Sequence, residues 1–349
     1  MKKRYPVIIV AVLLLTILIL PSLIVLNVHK GEGKQEAVKA PKVKSANKAE
    51  DNPIAVETAA LPVTVYRSSS GTVDDLTLHD YLVGVVACEM PANFKMEALK
   101  AQALAARTYV VDRLLTDSSS AKVPKGVKAN VIDTTDDQVY KSPQQLKELW
   151  GSAYASKIKR IEEAVTATEG EVITYKGKII GYPAFFSTSN GYTENANEYY
   201  ETSIPYLKSV PSKWDLKSPK YKTTISLTVS NVEAALGVSL DSTNGAIGEV
   251  KKWTTGKRIA DIEISGHEFT GREVREKLNL RSADFVMKRE GNEVQITTYG
   301  YGHGVGMSQY GANGMAQEGK TYKQIVQYYY SGSSVSNMAT ELAQIKEKL

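Results

Sequence analysis

The chain has 349 residues, 42% of them hydrophobic and 23% charged, enough to bury the core of one large domain or two modest ones. Its formal net charge is +5 without long basic blocks, which argues against a dedicated nucleic-acid binder and suits an anionic wall or membrane surface. The single cysteine, Cys88, excludes an intramolecular disulfide and any multi-cysteine metal site. Tyrosines number 20 against 5 phenylalanines and 3 tryptophans; a flat apolar face with a hydroxyl suits a carbohydrate groove and equally an ordinary sheet surface.

At the N-terminus Lys2-Lys3-Arg4 precedes an uncharged apolar run over 7–28. About 20 apolar residues is what a bilayer-spanning helix requires, and no small-x-small cleavage site follows. An uncleaved anchor is therefore expected, with a cytoplasmic basic tip and the remaining chain outside the cytoplasm. Lys30 and Lys34 weaken that charge contrast. Residues 30–60 are rich in Lys, Ala, Glu and Pro and read as a flexible tether, leaving 61–349 as the folded domain.

The stretch 78–112 reads as two helices joined at Pro91. Thr77 can cap the first, and Leu82, Val85 and Val86 share one face whose next member is Glu89. Pro91 stops that helix, and Asn93 is expected to cap the next. There Met96, Leu99, Ala103, Ala106 and Val110 form a stripe, with Arg107 beside it. A carboxyl on a buried face is costly unless paired or protonated. Glu89 is thus either a general acid with a raised pKa or half of a structural ion pair with Arg107, and the pattern does not choose.

Beyond a polar loop over 117–143, a helix is predicted over 144–168, then a hairpin turning at Lys176-Gly177. In PAFFSTSNGYTENANEYY an apolar strand runs into Ser187, Thr188, Ser189, Asn190, Gly191, Tyr192 and Thr193. Turn chemistry accounts for Asn190-Gly191; three consecutive hydroxyls also suit a polyhydroxyl ligand. Strands and helices over 222–289 read as supporting structure. Gly300, Gly302, Gly304 and Gly306 alternate with Tyr301, His303, Val305 and Met307. An extended strand of that pattern has one bare face, open to a ligand or another chain, and presents His303. Ser308 and Thr321-x-x-Gln324 are helix starts.

Three segments, VVACEMPANFKMEALKAQALAARTYV, FFSTSNGYTE and YGYGHGVGMSQYGANGMAQEGKTYKQIVQYYYSG, fall in that order within 61–332. Together they resemble the stage II sporulation protein D family, membrane-anchored lytic transglycosylases used in engulfment by endospore-forming bacteria. The resemblance implies that Glu89, in Ala87-Cys88-Glu89-Met90-Pro91, is the catalytic acid. It implies that Arg107, Ser189, Asn190, Gly191, Thr193, His303 and Gln309 line a glycan groove. Its substrate would be denuded peptidoglycan strands, cut between N-acetylmuramic acid and N-acetylglucosamine to 1,6-anhydro ends. Its partners would be stage II sporulation proteins P, an amidase, and M, at the forespore septum and engulfing mother-cell membrane. Some relatives carry a Cys/His zinc cluster where Lys125, Val131, Asp136 and Asp137 stand here, so neither zinc nor a cofactor is expected.

The expected fold is α+β, mixed helices and antiparallel sheet plus one N-terminal transmembrane helix, with two lobes around a glycan groove left open. Three other readings compete. The domain could be a non-catalytic wall-binding module that stimulates a partner amidase. It could be a hydrolase with Glu194 or Glu198 as second carboxylate, or a cysteine hydrolase built on Cys88 and His303.

Overall fold

Thr77 ends one strand and starts one helix. Its hydroxyl accepts the Asp80 N–H at 3.1 Å, capping the helix Leu78–Glu89. Met90 then turns extended, and Pro91 cannot continue the helical bonding. In the computed structural model, which describes residues 53–116, 122–241 and 243–349, this helix packs on a longer one, Met96–Thr116. A turn closed by Phe94 N–H on Pro91 O joins them. Asn93 lies inside that turn and is not the cap, because the second helix begins three residues later, at Met96.

The Met96–Thr116 helix is not striped. Ala98, Ala101, Ala103, Ala105 and Ala106 are all fully buried, so it is enclosed all round. Alanine side chains let neighbours approach on every side, and the helices Leu78–Glu89, Tyr154–Thr166, Gln309–Gln317 and Tyr322–Tyr329 do so. The strand Glu171–Tyr175 packs on it as well, in a sheet between Ser333–Asn337 and Lys178–Ile179. The predicted hairpin is present, with Lys176 and Gly177 both left-handed. The helix expected over 144–168 is broken: Pro143–Trp150 ends at Gly151, whose φ is 51°, and Tyr154–Thr166 follows. Inside the loop at 117–143, Val131–Ile132 pairs in parallel with Pro62–Arg67.

A second core lies over 222–299. The strands Lys222–Thr228, Glu293–Tyr299, Phe285–Glu290 and Gly245–Ile247 form one antiparallel sheet, and Glu249–Trp253, Ile259–Ile264 and His267–Thr270 another. With the helices Val229–Leu236 and Gly271–Lys277 they bury Val232, Ile264, Val274 and Ile296 completely. The chain enters and leaves this core at adjacent points, where Gly300 N–H donates to Tyr221 O at 2.7 Å. Both cores belong to one compact unit.

The α+β expectation holds, and its membrane-spanning element is corrected. Among the described residues no helix is long and apolar enough to cross a membrane. The stretch 7–28, to which that helix was assigned, lies outside the described residues, as do 1–6 and most of the expected tether. The last tether residues form a short helix, Pro53–Ala59, with Ala55 and Thr58 buried.

Candidate active site

Glu89 is the last residue of its helix. Leu82, Val85 and Val86 anchor that face in the core, and the carboxyl emerges where the helix stops. Two clefts meet there. The larger, about 870 Å³, is lined by Glu89, Trp150, Lys157, Arg160 and Lys220 among others. The smaller, about 340 Å³, shares Glu89 and adds Tyr109, Asp137, Gln138, Tyr182 and His303. No residue of 222–299 lines either cleft.

Gln309, the first residue of the Gln309–Gln317 helix, donates from Nε2 to Glu89 Oε2 at 3.1 Å and to Gln102 Oε1 at 3.4 Å. The Val139 N–H also donates to the Glu89 carboxyl. Burial outweighs these two bonds and pushes the Glu89 pKa up to about 7. The partial negative charge of the helix C-terminus acts in the same direction. At neutral pH the group is divided between acid and carboxylate.

Arg107 is elsewhere. It is 1% exposed and donates to Thr168 O at 2.6 Å and Val165 O at 3.0 Å, tying off the carbonyls that end the Tyr154–Thr166 helix. It pairs with no carboxylate of the site, and the Glu89–Arg107 ion pair does not form.

The hydroxyl loop has an internal ligand. Three hydroxyls donate to the Asp215 carboxylate, Ser189 Oγ at 2.7 Å, Ser212 Oγ at 2.6 Å and Ser308 Oγ at 2.6 Å, and all four residues are fully buried. Ser308 also caps the helix that carries Gln309. Asn190 Nδ2 donates to Gly256 O, Lys257 O and Asp284 Oδ2, joining the two cores. Gly191 takes a φ of 110° in this turn. Thr193 accepts from Val210 N–H at 2.8 Å and donates to Lys208 O. Ser189, Asn190, Gly191, Thr193 and Arg107 therefore line neither cleft. They shape the frame behind it.

His303 lines the smaller cleft with both nitrogens engaged. Nδ1 accepts from Val305 N–H at 3.0 Å and Nε2 donates to Phe185 O at 3.1 Å. Burial, reinforced by Arg275, pushes its pKa down to about 3, so the ring stays neutral. The glycine run is not a bare strand. All four glycines have positive φ, and the chain that approaches is the protein's own: a Cβ on Gly306 would lie 2.0 Å from Ala184 O, and one on Gly304 2.4 Å from Arg258 Cζ.

Cys88 opens on the larger cleft and His303 on the smaller, and burial pushes the thiol up to about 12. That separates the two groups a cysteine hydrolase needs. Glu194 is 2% exposed and bonds Arg258 at 2.9 Å; Glu198 accepts from Thr255 N–H at 2.8 Å. Neither lines a cleft. The carboxylates that do, Asp136 and Asp137, sit in the segment read as surface loop. Asp137 is held by Tyr109 Oη, by Arg113 and by Ile132 N–H. Tyr109 and Arg113 are four apart on one helix face, a spacing that was readable. Lys157 and Lys220 come from distant segments and carry no local signal.

A family profile described as SpoIID, stage II sporulation protein, matches residues 66–175. Stage II sporulation protein D of Bacillus subtilis (strain 168) is 47% identical over 330 residues, covering 93% of this chain and 94% of that protein. Its counterpart in Bacillus amyloliquefaciens is 46% identical over 335 residues, covering 95% and 96%. The chain is also 29% identical over 315 residues to an amidase enhancer of Bacillus subtilis (strain 168), covering 73% of this chain and 40% of that protein.

Proposed function

This chain belongs to the stage II sporulation protein D family, and on that premise we propose that it is a peptidoglycan lytic transglycosylase acting through Glu89 outside the cytoplasm, at the sporulation septum. One observation carries the reading: a single carboxyl with a pKa near 7 stands where two clefts meet. A glycan strand lying across both clefts puts its scissile bond at that carboxyl.

Protonated Glu89 gives its proton to the glycosidic oxygen as the bond from muramic C1 breaks. The resulting carboxylate takes the proton from the muramic C6 hydroxyl, whose oxygen bonds to C1 and closes the 1,6-anhydro ring. No water is consumed, and Glu89 ends protonated as it began. A pKa near the working pH suits a group that must serve as acid and then base. Because the attacking hydroxyl belongs to the sugar, the second carboxylate that positions or replaces water in hydrolases is not required. Stage II sporulation proteins P and M are the proposed partners.

The similarity to an amidase enhancer favours a second reading, a wall-binding module that stimulates an amidase without cutting glycan. Mass spectrometry of peptide-free strands incubated with the full-length protein, wild type and Glu89→Gln, separates these. Anhydro-ended fragments from wild type alone support the proposal. Reducing ends turn attention to Asp136 as a water-activating base. Binding with no cleavage by wild type leaves the module reading.

A further inference from the structure

The larger cleft is unbalanced in charge. Lys95, Lys157, Arg160 and Lys220 line it, and Glu89 is its one acidic residue. Arg160 is engaged within the protein, donating to Ala92 O and Phe94 O at 2.8 Å and holding the turn after Pro91. The three lysines are not. Among the described residues, six other lysines form ion pairs, but Lys95, Lys157 and Lys220 come within pairing distance of no carboxylate. Two of them are held in place by rings. The Lys157 Nζ lies 5.2 Å from the Trp150 ring centre, and the Lys220 Nζ lies 5.6 Å and 5.8 Å from those of Tyr301 and Tyr310. Contacts with ring faces orient an ammonium and leave its N–H donors available. The smaller cleft has the opposite bias, with Asp136 and Asp137 against Arg113, which is already bonded to Asp137. The two arms that meet at Glu89 differ in sign.

We infer that the larger cleft binds an ionised carboxylate on the glycan, the lactyl acid of a muramic residue that bears no stem peptide, through Lys157 and Lys220. The inference rests on the glycan reading above and names the side chains that recognise the free acid. N-acetylglucosamine is uncharged. A muramic residue carries its own negative charge only while its lactyl carboxyl is free, because amide formation with a peptide removes it. Hydrogen bonds to a charged acceptor are roughly twice as strong as neutral ones. The cleft therefore distinguishes a free acid from an amide of nearly the same size, independently of whether a peptide fits.

The test uses the full-length protein and three substrates. These are peptide-free strands, the same strands with their lactyl carboxyls converted to methylamides, and peptide-bearing strands whose carboxylates sit on the peptide. KM is measured for wild type and for Lys157→Gln/Lys220→Gln, and Kd by calorimetry in the Glu89→Gln background. Wild type is expected to show a KM about tenfold higher for the methylamide strands, the effect of one lost charged contact. The double variant is expected to show nearly equal KM values for the two, and rising salt to narrow the wild-type difference. Equal wild-type KM values with cleavage intact overturn the inference while the transglycosylase reading stands. Tighter engagement of peptide-bearing strands than of methylamide strands also overturns it, by moving the recognised carboxylate to the peptide. If nothing is cleaved, the transglycosylase reading falls. The calorimetric preference for free-acid over methylamide strands then decides the inference by itself.

Discussion

Gln309 and Glu89 are 220 positions apart in the chain, and their side chains meet at 3.1 Å. The amide of Gln309 can donate to the ionised form of Glu89, so it holds the acid's pKa below what burial alone would give. Gln309→Met removes that donor at similar volume. Glu89 then titrates higher, and the alkaline limb of the cleavage pH profile moves up. The limb's midpoint, from rates between pH 5 and 9, checks this; an unmoved limb assigns Gln309 to packing only.

Glu89 itself links stability to pH. Its folded pKa, about 7, lies above the ordinary carboxyl value of 4.5. A raised pKa means that the protein is most stable below the lower value and loses stability as pH rises through the higher one. Between pH 4.5 and 7 the loss is about 2–3 kcal/mol at one proton's worth of shift. Glu89→Gln lacks this titration. Urea melts at pH 5 and pH 8 should show the variant gaining on wild type at the higher pH.

Asp215 is where three serine hydroxyls converge. Removing the carboxylate leaves Ser189, Ser212 and Ser308 as buried groups without their acceptor. Asp215→Ala is expected to cost about 3–5 kcal/mol, as unpaired buried polar groups do. Because Ser308 caps the Gln309 helix, the variant should also lose cleavage activity under conditions where it is still folded. Denaturation midpoints and initial rates on the same preparation separate the two effects.

His303 shares the smaller cleft with Glu89 and has no free nitrogen. His303→Gln is expected to lower stability by about 1–2 kcal/mol through its two hydrogen bonds. The shape of the pH–rate profile should not change, since the ring stays neutral across the working range. A profile that lost a limb in this variant would return His303 to the chemistry.

What the sequence disclosed was local. The Thr77 cap, the Pro91 stop, the Lys176-Gly177 turn and the Thr321–Gln324 capping box each depend on neighbours within four residues, and each is present. Glu89 was legible for the same reason, as the polar member of an apolar helical face. Features set by distant partners were not. Four alternating glycines imply close approach, but nothing in their own segment says that Ala184 and Arg258 are what approaches. A row of hydroxyls looks the same whether its acceptor is a sugar or Asp215, 26 residues on from Ser189. Arg107 looked like a partner for Glu89 because it lies beside the apolar stripe of the neighbouring helix; the carbonyls it actually bonds, Val165 O and Thr168 O, have no side-chain signature.

The second core is a detour. The chain leaves the site just after Lys220, folds a complete hydrophobic interior, and returns at Gly300, where its N–H meets Tyr221 O. One residue later, Tyr301 supplies a ring against which the Lys220 ammonium rests. The excursion thus closes on the wall of the larger cleft with its two ends already adjacent. Closing a loop costs little more when the loop is made longer, so the detour can grow or shrink over evolution while the cleft keeps its shape. What it cannot lose freely is its neck, where Asn190 and Arg258 bind the excursion to the frame behind Glu89.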